Sequence, residues 1–443
     1  MIQKSSGENS QLSHRQIASY PSGDNATTTK CPSRRQFLGA AAGVTISLSA
    51  ASYSRILGAN DRISIGIIGC GGRGQGTHMK YVNKYAKSQN VEVTAVCDPW
   101  SVRRQEAAAR AKEQYGRQVR QFVSYRDLLQ LDDVDAVMIA SCDHQHTTHL
   151  RAAAEAKKDV YCEKPLAMDF EKLREACDAV KRNKIVIQIG TQQRSYPTNT
   201  GTREVYKTGI LGKTSRIEQH RHASAPYWNK RVKSVVESDV EWKEFLMDRP
   251  DQPFDPVKFS AWYGFMEFSD GPVSQWGSHY IDLVHYITQA KCPTSCMCLG
   301  GTFTWKDENN FTCPDHVQAL WVYREGFLVS YATNFGNSAG NSFKIFGDVG
   351  MIDLGGPHAP THFLSAEGGS RNKGAIRGRK PIEKLDRPDH WLDWLQCLRS
   401  RRQCHAPIEA GYQHAVACIM ARKSYDTGSR MVYDAEKREI RPG

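Results

Sequence analysis

The hydrophobic pattern of the chain changes at about residue 62. Beyond it, continuous apolar runs end in glycine, aspartate or serine, and they stand at 63–69, 91–98, 134–141 and 184–190. Polar stretches with the spacing of amphipathic helices separate these runs. Continuous apolar runs are typical of strands that are buried on both faces. Strands that alternate with helices in this rhythm predict a parallel, doubly wound Rossmann sheet.

The pattern changes again after Gly190. The segments beyond it alternate apolar and polar residues, which predicts strands with one covered and one open face. Four such strands are expected, at 214–223, 297–305, 316–324 and 327–335. Helices are expected at about 277–288, 388–399 and 411–425. The predicted fold class is therefore α/β, with an N-terminal Rossmann sheet and an α+β C-terminal domain whose large sheet is mostly antiparallel.

These patterns divide the chain into three segments. Residues 1–58 are interpreted as a leader, residues 59–190 as the Rossmann domain, and residues 191–443 as a domain for substrate binding and oligomerisation. The open face of the second sheet carries an apolar stripe, and such faces favour pairing. A homodimer or homotetramer is therefore expected.

The leader contains a candidate export signal. Residues 33–38 read SRRQFL, with the arginine pair Arg34 and Arg35. Roughly 15 apolar or small residues follow, whereas a membrane-spanning helix needs about 20. The pattern predicts a twin-arginine signal, export to the periplasm and no stable membrane span after processing. A buried amphipathic helix and an uncleaved anchor are the alternatives.

Charge and cysteine content narrow the function classes. The formal net charge is +12, but neither zinc-finger spacing nor an aromatic RNA-binding signature accompanies it, so no nucleic-acid partner is expected. The 13 cysteines are an odd number and imply no disulfide framework. The cysteines within 292–298 lack the paired spacing of a structural zinc site, so no metal is expected.

A glycine-rich turn joins the first predicted strand to the first helix. Gly69, Gly71 and Gly74 form a G-x-G-x-x-G pattern that also includes Gly72 and Arg73. The first glycine allows a tight turn, the second a close approach to a pyrophosphate, and the third close helix packing. Free N–H groups at the helix N-terminus favour the phosphates. The turn predicts a dinucleotide cofactor, and a turn that serves only packing is the alternative.

An acidic residue ends the second predicted strand. Asp98 lies 24 residues beyond Gly74. A carboxylate at this position accepts hydrogen bonds from ribose hydroxyls and repels a 2′-phosphate, so NAD is expected rather than NADP. Arg73 favours NADP instead, because a guanidinium beside the turn can bind a 2′-phosphate. NADP is therefore the less favoured cofactor.

Two further motifs carry a family resemblance. Together with the glycine turn, CDHQHTTH at 142–149 and VYCEKPLA at 160–167 resemble the Gfo/Idh/MocA family, which includes glucose–fructose oxidoreductase and inositol dehydrogenase. The likeness extends from about Asn60 to the C-terminus. The resemblance implies a Rossmann domain, a nicotinamide cofactor and a reaction on a sugar or polyol.

The resemblance also implies roles for single residues. Asp143 and His146 are expected to line the nicotinamide end of the cofactor site, and Glu163 and Lys164 are similar to the family's cofactor and catalytic pair. His279 is similar to the histidine of the catalytic helix. We expect Lys164 to donate a hydrogen bond to the reacting oxygen. His279 would accept the hydroxyl proton, since its ordinary pKa lies near neutrality.

Residues around His279 are expected to face the substrate. Asp282 lies one helical turn beyond and would orient the imidazole. Gln275 stands where many family members have an aspartate, and its amide cannot accept a proton but can bind a sugar hydroxyl. Of the aromatic residues expected near the cleft, about two should touch a sugar. They are Trp228, Trp242, Trp262, Tyr263 and Trp276.

These observations predict an exported NAD(P)-dependent oxidoreductase. It would transfer hydride between a tightly bound cofactor and a sugar or polyol hydroxyl. The twin-arginine route exports folded proteins and the periplasm maintains no pool of free NAD, so the leader favours a cofactor that is loaded before export. A redox-neutral glycosidase or epimerase that uses NAD transiently is one alternative. A non-catalytic sugar-binding protein that retains NAD is the other.

Overall fold

The computed structural model describes residues 62–305, 308–356, 358–368 and 376–443. The predicted twin-arginine stretch around Arg34 and Arg35 lies outside the described residues. Within them, no helix combines the length and the apolar character that crossing a membrane requires.

The N-terminal part forms a six-stranded parallel sheet, which confirms the predicted Rossmann topology. The strands follow the order β3-β2-β1-β4-β5-β6, and every neighbouring pair is parallel. Their bounds are β1 Ile63–Ile68, β2 Val91–Cys97, β3 Arg120–Phe122, β4 Ala136–Ile139, β5 Asp159–Cys162 and β6 Ile187–Ile189. Ile65 and Ile67 of β1 are inaccessible to solvent, as expected for a strand covered on both faces. The carboxyl ends of β1, β4 and β5 therefore meet at one edge.

Helices connect these strands and cover both faces of the sheet. A π-helical turn, Gly74–Met79, leads from the glycine turn into the first helix. The helices are α1 Lys80–Gln89, α2 Ser101–Tyr115, α3 Tyr125–Leu129, α4 His146–Glu155, α5 Phe170–Asn183 and α6 Pro197–Lys207. Strand β3 has no counterpart in the sequence prediction, because it is three residues long and only partly buried.

The C-terminal part contains a ten-stranded sheet, and all but one of its neighbouring strand pairs are antiparallel. The exception is the pairing of β7 with β10. The strands are β7 Thr214–His222, β8 Ser295–Gly301, β9 His316–Val322, β10 Leu328–Asn334, β11 Ser342–Gly347, β12 Gly350–Asp353, β13 Phe363–Ala366, β14 Arg379–Pro381, β15 Met431–Asp434 and β16 Glu439–Pro442. The predicted, mostly antiparallel second sheet is confirmed.

One face of this sheet is covered by helices and the other is open. The remaining helices are α7 Trp242–Leu246, α8 Pro256–Ser260, α9 Ser278–Thr288, α10 His390–Ser400 and α11 Ile408–Thr427. Gln219 of β7 donates from Nε2 to the Tyr280 carbonyl oxygen of α9 at 2.8 Å, which fixes the covered face. On the other face, Leu320 of β9 is 44% exposed. The homodimer or homotetramer inferred from this face stays a prediction.

Helix α10 differs from its expected place in the C-terminal domain. Its Trp394 and Leu395 belong to the same buried apolar cluster as Ile65, Ile67 and Val93 of the Rossmann sheet. The alternation of apolar residues along α10 predicts a buried face, but it does not indicate which sheet that face meets.

Candidate functional site

The glycine turn after β1 depends on two glycines for its shape. Gly69 has a φ of +91°, and a Cβ there would lie 2.5 Å from the backbone of Ala140. A Cβ on Gly74 would collide with the carbonyl oxygen of Gly69. By contrast, a Cβ on Gly71 or Gly72 would meet no atom within 4 Å. The turn is therefore closed by packing on one side and open on the other, as a phosphate cradle requires.

A groove with about 1090 Å³ of empty space opens in front of this turn. Gly71 and Asp98 line its Rossmann side, and the segment from Arg231 to Tyr263 lines the opposite side. The segment on the opposite side is bonded to the loop after β2, because the Glu241 N–H donates to the Pro99 carbonyl oxygen at 3.0 Å. Residues 231–263 thus form a roof over the nucleotide groove. Since the roof comes from a distant part of the chain, no local motif indicates it.

Asp98 lies in this groove with its carboxylate held by the backbone. Oδ2 accepts from the Cys70 N–H at 2.6 Å and Oδ1 from the Trp100 N–H at 2.8 Å. Burial raises the pKa of Asp98 to about 6, against the lowering effect of these two hydrogen bonds, so the group is mostly ionised at neutral pH. Each carboxylate oxygen keeps a further lone pair. Asp98 therefore fits the predicted contact with ribose hydroxyls.

Arg73 and Glu163 form an ion pair beneath the glycine turn. The Arg73 Nε donates to Glu163 Oε1 at 2.7 Å, and His78 Nε2 lies 3.3 Å from the same oxygen. Burial alone would raise the pKa of Glu163, but the charge of Arg73 and the contact with His78 outweigh it and hold the pKa well below its usual range. The Arg73 guanidinium also lies 5.5 Å from the ring centre of Trp391. Arg73 is thus held by Glu163 and Trp391, which weakens the case for a 2′-phosphate.

Lys164, Asp143 and Gln275 meet beyond the carboxyl ends of β4 and β5. The Lys164 Nζ donates to the Gln275 carbonyl oxygen at 2.7 Å. The Gln275 Nε2 donates to the Asp143 carboxylate. Burial lowers the pKa of Lys164, and the neighbouring Asp143 charge opposes that shift. The Gln275 side chain, predicted to bind substrate, is therefore paired with Asp143 in this structure.

His279 lies in the first turn of α9, next to this group. It is 6% exposed, and its Nδ1 has no hydrogen-bond partner among the described residues. Burial lowers the pKa of His279 well below its usual value, and the positive charge of Lys164 lowers it further. The imidazole is therefore neutral at neutral pH and able to accept a proton. The structure brings Lys164 and His279, predicted from separate motifs, into one site.

His146 is placed differently from the expectation. It is buried at the start of α4, with Nδ1 2.7 Å from the Pro165 carbonyl oxygen and Nε2 3.1 Å from the Ser141 carbonyl oxygen. Both ring nitrogens thus contact backbone. His146 joins the loop after β4 to the loop after β5, and its effect on a nicotinamide ring would act through those loops.

Asp282 also differs from the expectation that it orients His279. Both of its carboxylate oxygens accept from Arg194 Nε, at 2.9 and 2.8 Å, and its exposed fraction is zero. The two residues point to different neighbours although they lie on one helix. The sequence does not indicate Arg194 as the partner of Asp282, because Arg194 lies in the segment after β6 and has no fixed spacing to α9.

Replacing Asp282 by asparagine is expected to destabilise the protein without changing proton transfer at His279. Removing one partner of a buried ion pair costs about 3–5 kcal/mol, because the other charge stays buried. Urea-induced unfolding measures the decrease in the free energy of unfolding. Glu171→Gln is the control, since Glu171 pairs with Arg174 at 3.2 Å on the surface and should cost at most about 1 kcal/mol. An equally small decrease in the free energy of unfolding of Asp282→Asn and Glu171→Gln would contradict the prediction.

The aromatic residues expected near a sugar fall into two groups. Trp262 and Tyr263 line the nucleotide groove, and the Trp276 ring centre lies 6.4 Å from that of His279. Trp228 is buried in an apolar cluster with Phe335. Trp242 stacks on Phe245 in a second apolar cluster. Trp276 is therefore the aromatic residue placed to meet a substrate beside His279.

Two family models match the chain. Residues 63–191 match a model described as the oxidoreductase family with an NAD-binding Rossmann fold. Residues 243–353 match the GFO/IDH/MocA C-terminal domain. The predicted NAD-binding domain is thereby confirmed.

Curated relatives match less than half of this chain. The rhizopine catabolism protein MocA of Rhizobium meliloti is 28% identical over 165 residues, which cover 37% of this chain and 49% of the relative. An inositol 2-dehydrogenase/D-chiro-inositol 3-dehydrogenase of Lactiplantibacillus plantarum is 28% identical over 178 residues, 40% of this chain and 49% of the relative. The chain thus spans about half the length of these relatives.

Solved structures share the fold over most of the chain. The aldose-aldose oxidoreductase of Caulobacter crescentus, complexed with glycerol, has a TM-score of 0.64 at 15% identity and covers 84% of this chain and 100% of its own. The WlbA dehydrogenase of Bordetella pertussis, in complex with NADH and UDP-GlcNAcA, has a TM-score of 0.63 at 18% identity. The match covers 84% of this chain and 99% of the WlbA chain. At these identities the likeness establishes the fold alone.

Proposed function

Since the chain belongs to the Gfo/Idh/MocA family of oxidoreductases, we propose that it transfers a hydride between a tightly held NAD and a carbon that bears a hydroxyl group in a sugar or polyol. The observation that carries this proposal is that Lys164, at the carboxyl edge of the Rossmann sheet, donates to the Gln275 carbonyl oxygen, four residues before the buried His279 in the same helical segment. NAD, when bound, supplies the hydride acceptor.

The two residues divide the proton chemistry between them. The neutral imidazole of His279 is the group that accepts the hydroxyl proton. The Lys164 ammonium donates a hydrogen bond to the same oxygen and stabilises the negative charge that develops there. Asp143 favours the charged form of Lys164, and the Gln275 carbonyl oxygen fixes the direction of Nζ.

Residues of the nucleotide groove would hold the cofactor. The open side of the glycine turn, where a Cβ on Gly71 or Gly72 would meet no atom within 4 Å, suits a pyrophosphate. The Asp98 carboxylate suits the ribose hydroxyls and repels a 2′-phosphate. These features favour NAD over NADP.

The roof over the groove supports a cofactor that stays bound between turnovers. Trp100, just after β2, forms an isolated antiparallel bridge with Val240 of the roof. A retained cofactor must be restored on the same protein, either by reducing a second sugar or by returning the hydride to the first substrate. The second route would make the enzyme a redox-neutral glycosidase or epimerase, and we keep it as a second candidate.

Export is part of the proposal and rests on the leader sequence. The SRRQFL stretch at 33–38 matches the twin-arginine pattern. A protein exported in the folded state can carry an enclosed NAD with it, and the roof of residues 231–263 would retain the nucleotide during transport.

Purification of the full chain without added cofactor tests the function. About one NAD per chain is expected after denaturation, identified by mass spectrometry. Adding sugars and polyols to the native protein should raise the 340 nm absorbance of the bound nucleotide. Cleavage or epimerisation of a glycoside without lasting absorbance change would favour the redox-neutral candidate. A protein that holds no nucleotide, and shows no absorbance change with NAD or NADP and any of the sugars, would contradict the proposal.

A further inference from the structure

An arginine lies on the helix-covered face of β7. Side chains alternate along a strand, and Ile217 and Gln219 are fully buried on the covered face. Arg221 is the next residue in this alternation. Its guanidinium carbon lies 4.4 Å from the ring centre of Trp276, in the turn that precedes α9. The covered face of β7 therefore ends in a positive charge beside the proposed catalytic site.

The guanidinium of Arg221 is only partly satisfied. Its Nη1 donates to the His222 carbonyl oxygen and to Asn341 Oδ1, the latter at 3.2 Å. Its Nε is buried and has no hydrogen-bond partner, and no carboxylate oxygen of the described residues lies within 4.0 Å of the group. A guanidinium has five N–H donors, and Arg221 is half-buried, so part of the group remains accessible. Arg221 is therefore able to accept an anionic partner.

Two histidines lie in the electrostatic surroundings of Arg221. Burial lowers the pKa values of His222 and His358, and the charge of Arg221 lowers both further. His358 in turn acts on His279, next to Lys164. The neutral histidines leave Arg221 as the positive charge beside Trp276, where it would stabilise an anion in a bound molecule.

We infer that Arg221 binds a carboxylate carried by the sugar substrate, so that the substrate class is a uronic acid or a related acidic sugar. The inference rests on the proposed function and narrows its substrate. The Nη2 group of Arg221 donates to no described residue, so its N–H groups can bind a carboxylate through charge-assisted hydrogen bonds. Trp276 holds the guanidinium by a cation–π contact and can present its ring to the sugar.

Paired sugars that differ only at C6 test the inference. Glucuronate and galacturonate are compared with glucose and galactose, for binding by isothermal titration calorimetry and for reduction of the bound nucleotide. The wild-type protein should bind a uronate at least tenfold more tightly than its parent sugar. Arg221→Gln should lose about 10- to 100-fold of the uronate affinity, the range for a charge-assisted hydrogen bond, with the parent sugar unchanged. Arg221→Lys should lose less.

A matched control lies on the opposite face of the same strand. Arg216 pairs with Glu218 at 2.8 Å and is exposed, so Arg216→Gln should leave uronate affinity unchanged. Thermal unfolding of all three variants checks that they fold. Equal affinity of the wild-type protein for both sugars of each pair, or no uronate binding, would overturn the inference, and reduction of the nucleotide by neutral sugars would still support the proposed function. Uronate binding that depends on Arg221 without any nucleotide reduction would support the inference while contradicting hydride transfer.

Discussion

Lys164→Met is expected to lower the rate of hydride transfer by about 10²- to 10³-fold, the usual cost of removing one hydrogen-bond donor to a developing negative charge, while the nucleotide stays bound. The variant keeps the length of the side chain but removes the ammonium that faces the reacting oxygen. The Lys164 Nζ bonds to the Gln275 carbonyl oxygen and not to the glycine turn, so the hydrogen bonds of the turn should be unchanged in the variant. Single-turnover reduction of the bound nucleotide measures the rate.

The pH dependence of the wild-type protein should identify the same group. Burial lowers the pKa of the Lys164 ammonium below its ordinary value of 10.5. The ammonium is the active form, so the rate is full below that pKa and falls as the pH rises through it. The basic limb should therefore lie below pH 10.5 in the wild-type profile and be absent from Lys164→Met.

A surface lysine provides the matched control for this substitution. Lys181 of α5 is exposed and its Nζ lies 3.1 Å from Glu409 Oε1. Lys181→Met should keep the wild-type rate and the basic limb. If Lys164→Met retained wild-type hydride transfer, or if both variants lost it equally, Lys164 would have no special part in the reaction.

The site combines features that the sequence predicts well with others that it does not. Apolar runs predict the Rossmann strands because such strands are buried on both faces, and the position of the glycine turn follows from them. Lys164 and His279 can be named from separate motifs, but their proximity depends on how α9 packs against the Rossmann edge. Asp282 shows the limit of helical spacing: it lies one turn from His279, yet Arg194 binds its carboxylate.

The roof and the charge beside Trp276 depend on contacts between distant segments. Residues 231–263 cover the groove because Glu241 and Val240 bond to the loop after β2. Neither residue belongs to a motif, so the sequence offers no signal for this contact. Alternation along β7 does place Arg221 with Gln219, but the absence of a nearby carboxylate among the described residues becomes visible only once the strands have been paired.

Two glycine substitutions are expected to separate packing from cofactor binding in the glycine turn. Gly74→Ala introduces a Cβ against the Gly69 carbonyl oxygen. Such overpacking costs about 1–3 kcal/mol or more, so this variant should unfold more easily and lose its nucleotide as a consequence. Gly71→Ala meets no atom within 4 Å and Gly71 has no positive φ, so its fold should be unchanged.

The decisive result is therefore that of Gly71→Ala. Its new methyl group projects into the open side of the turn, where a pyrophosphate would approach the backbone, and the nucleotide should dissociate at least about tenfold faster, or about 1.4 kcal/mol. Mass spectrometry of the protein after gel filtration measures the retained nucleotide, and urea-induced unfolding without nucleotide measures the stability of the fold. If the turn served only packing, Gly71→Ala would retain the nucleotide as the wild-type protein does. Loss of nucleotide from a stably folded Gly71→Ala protein therefore cannot be attributed to packing and identifies the open side of the turn as the cofactor cradle.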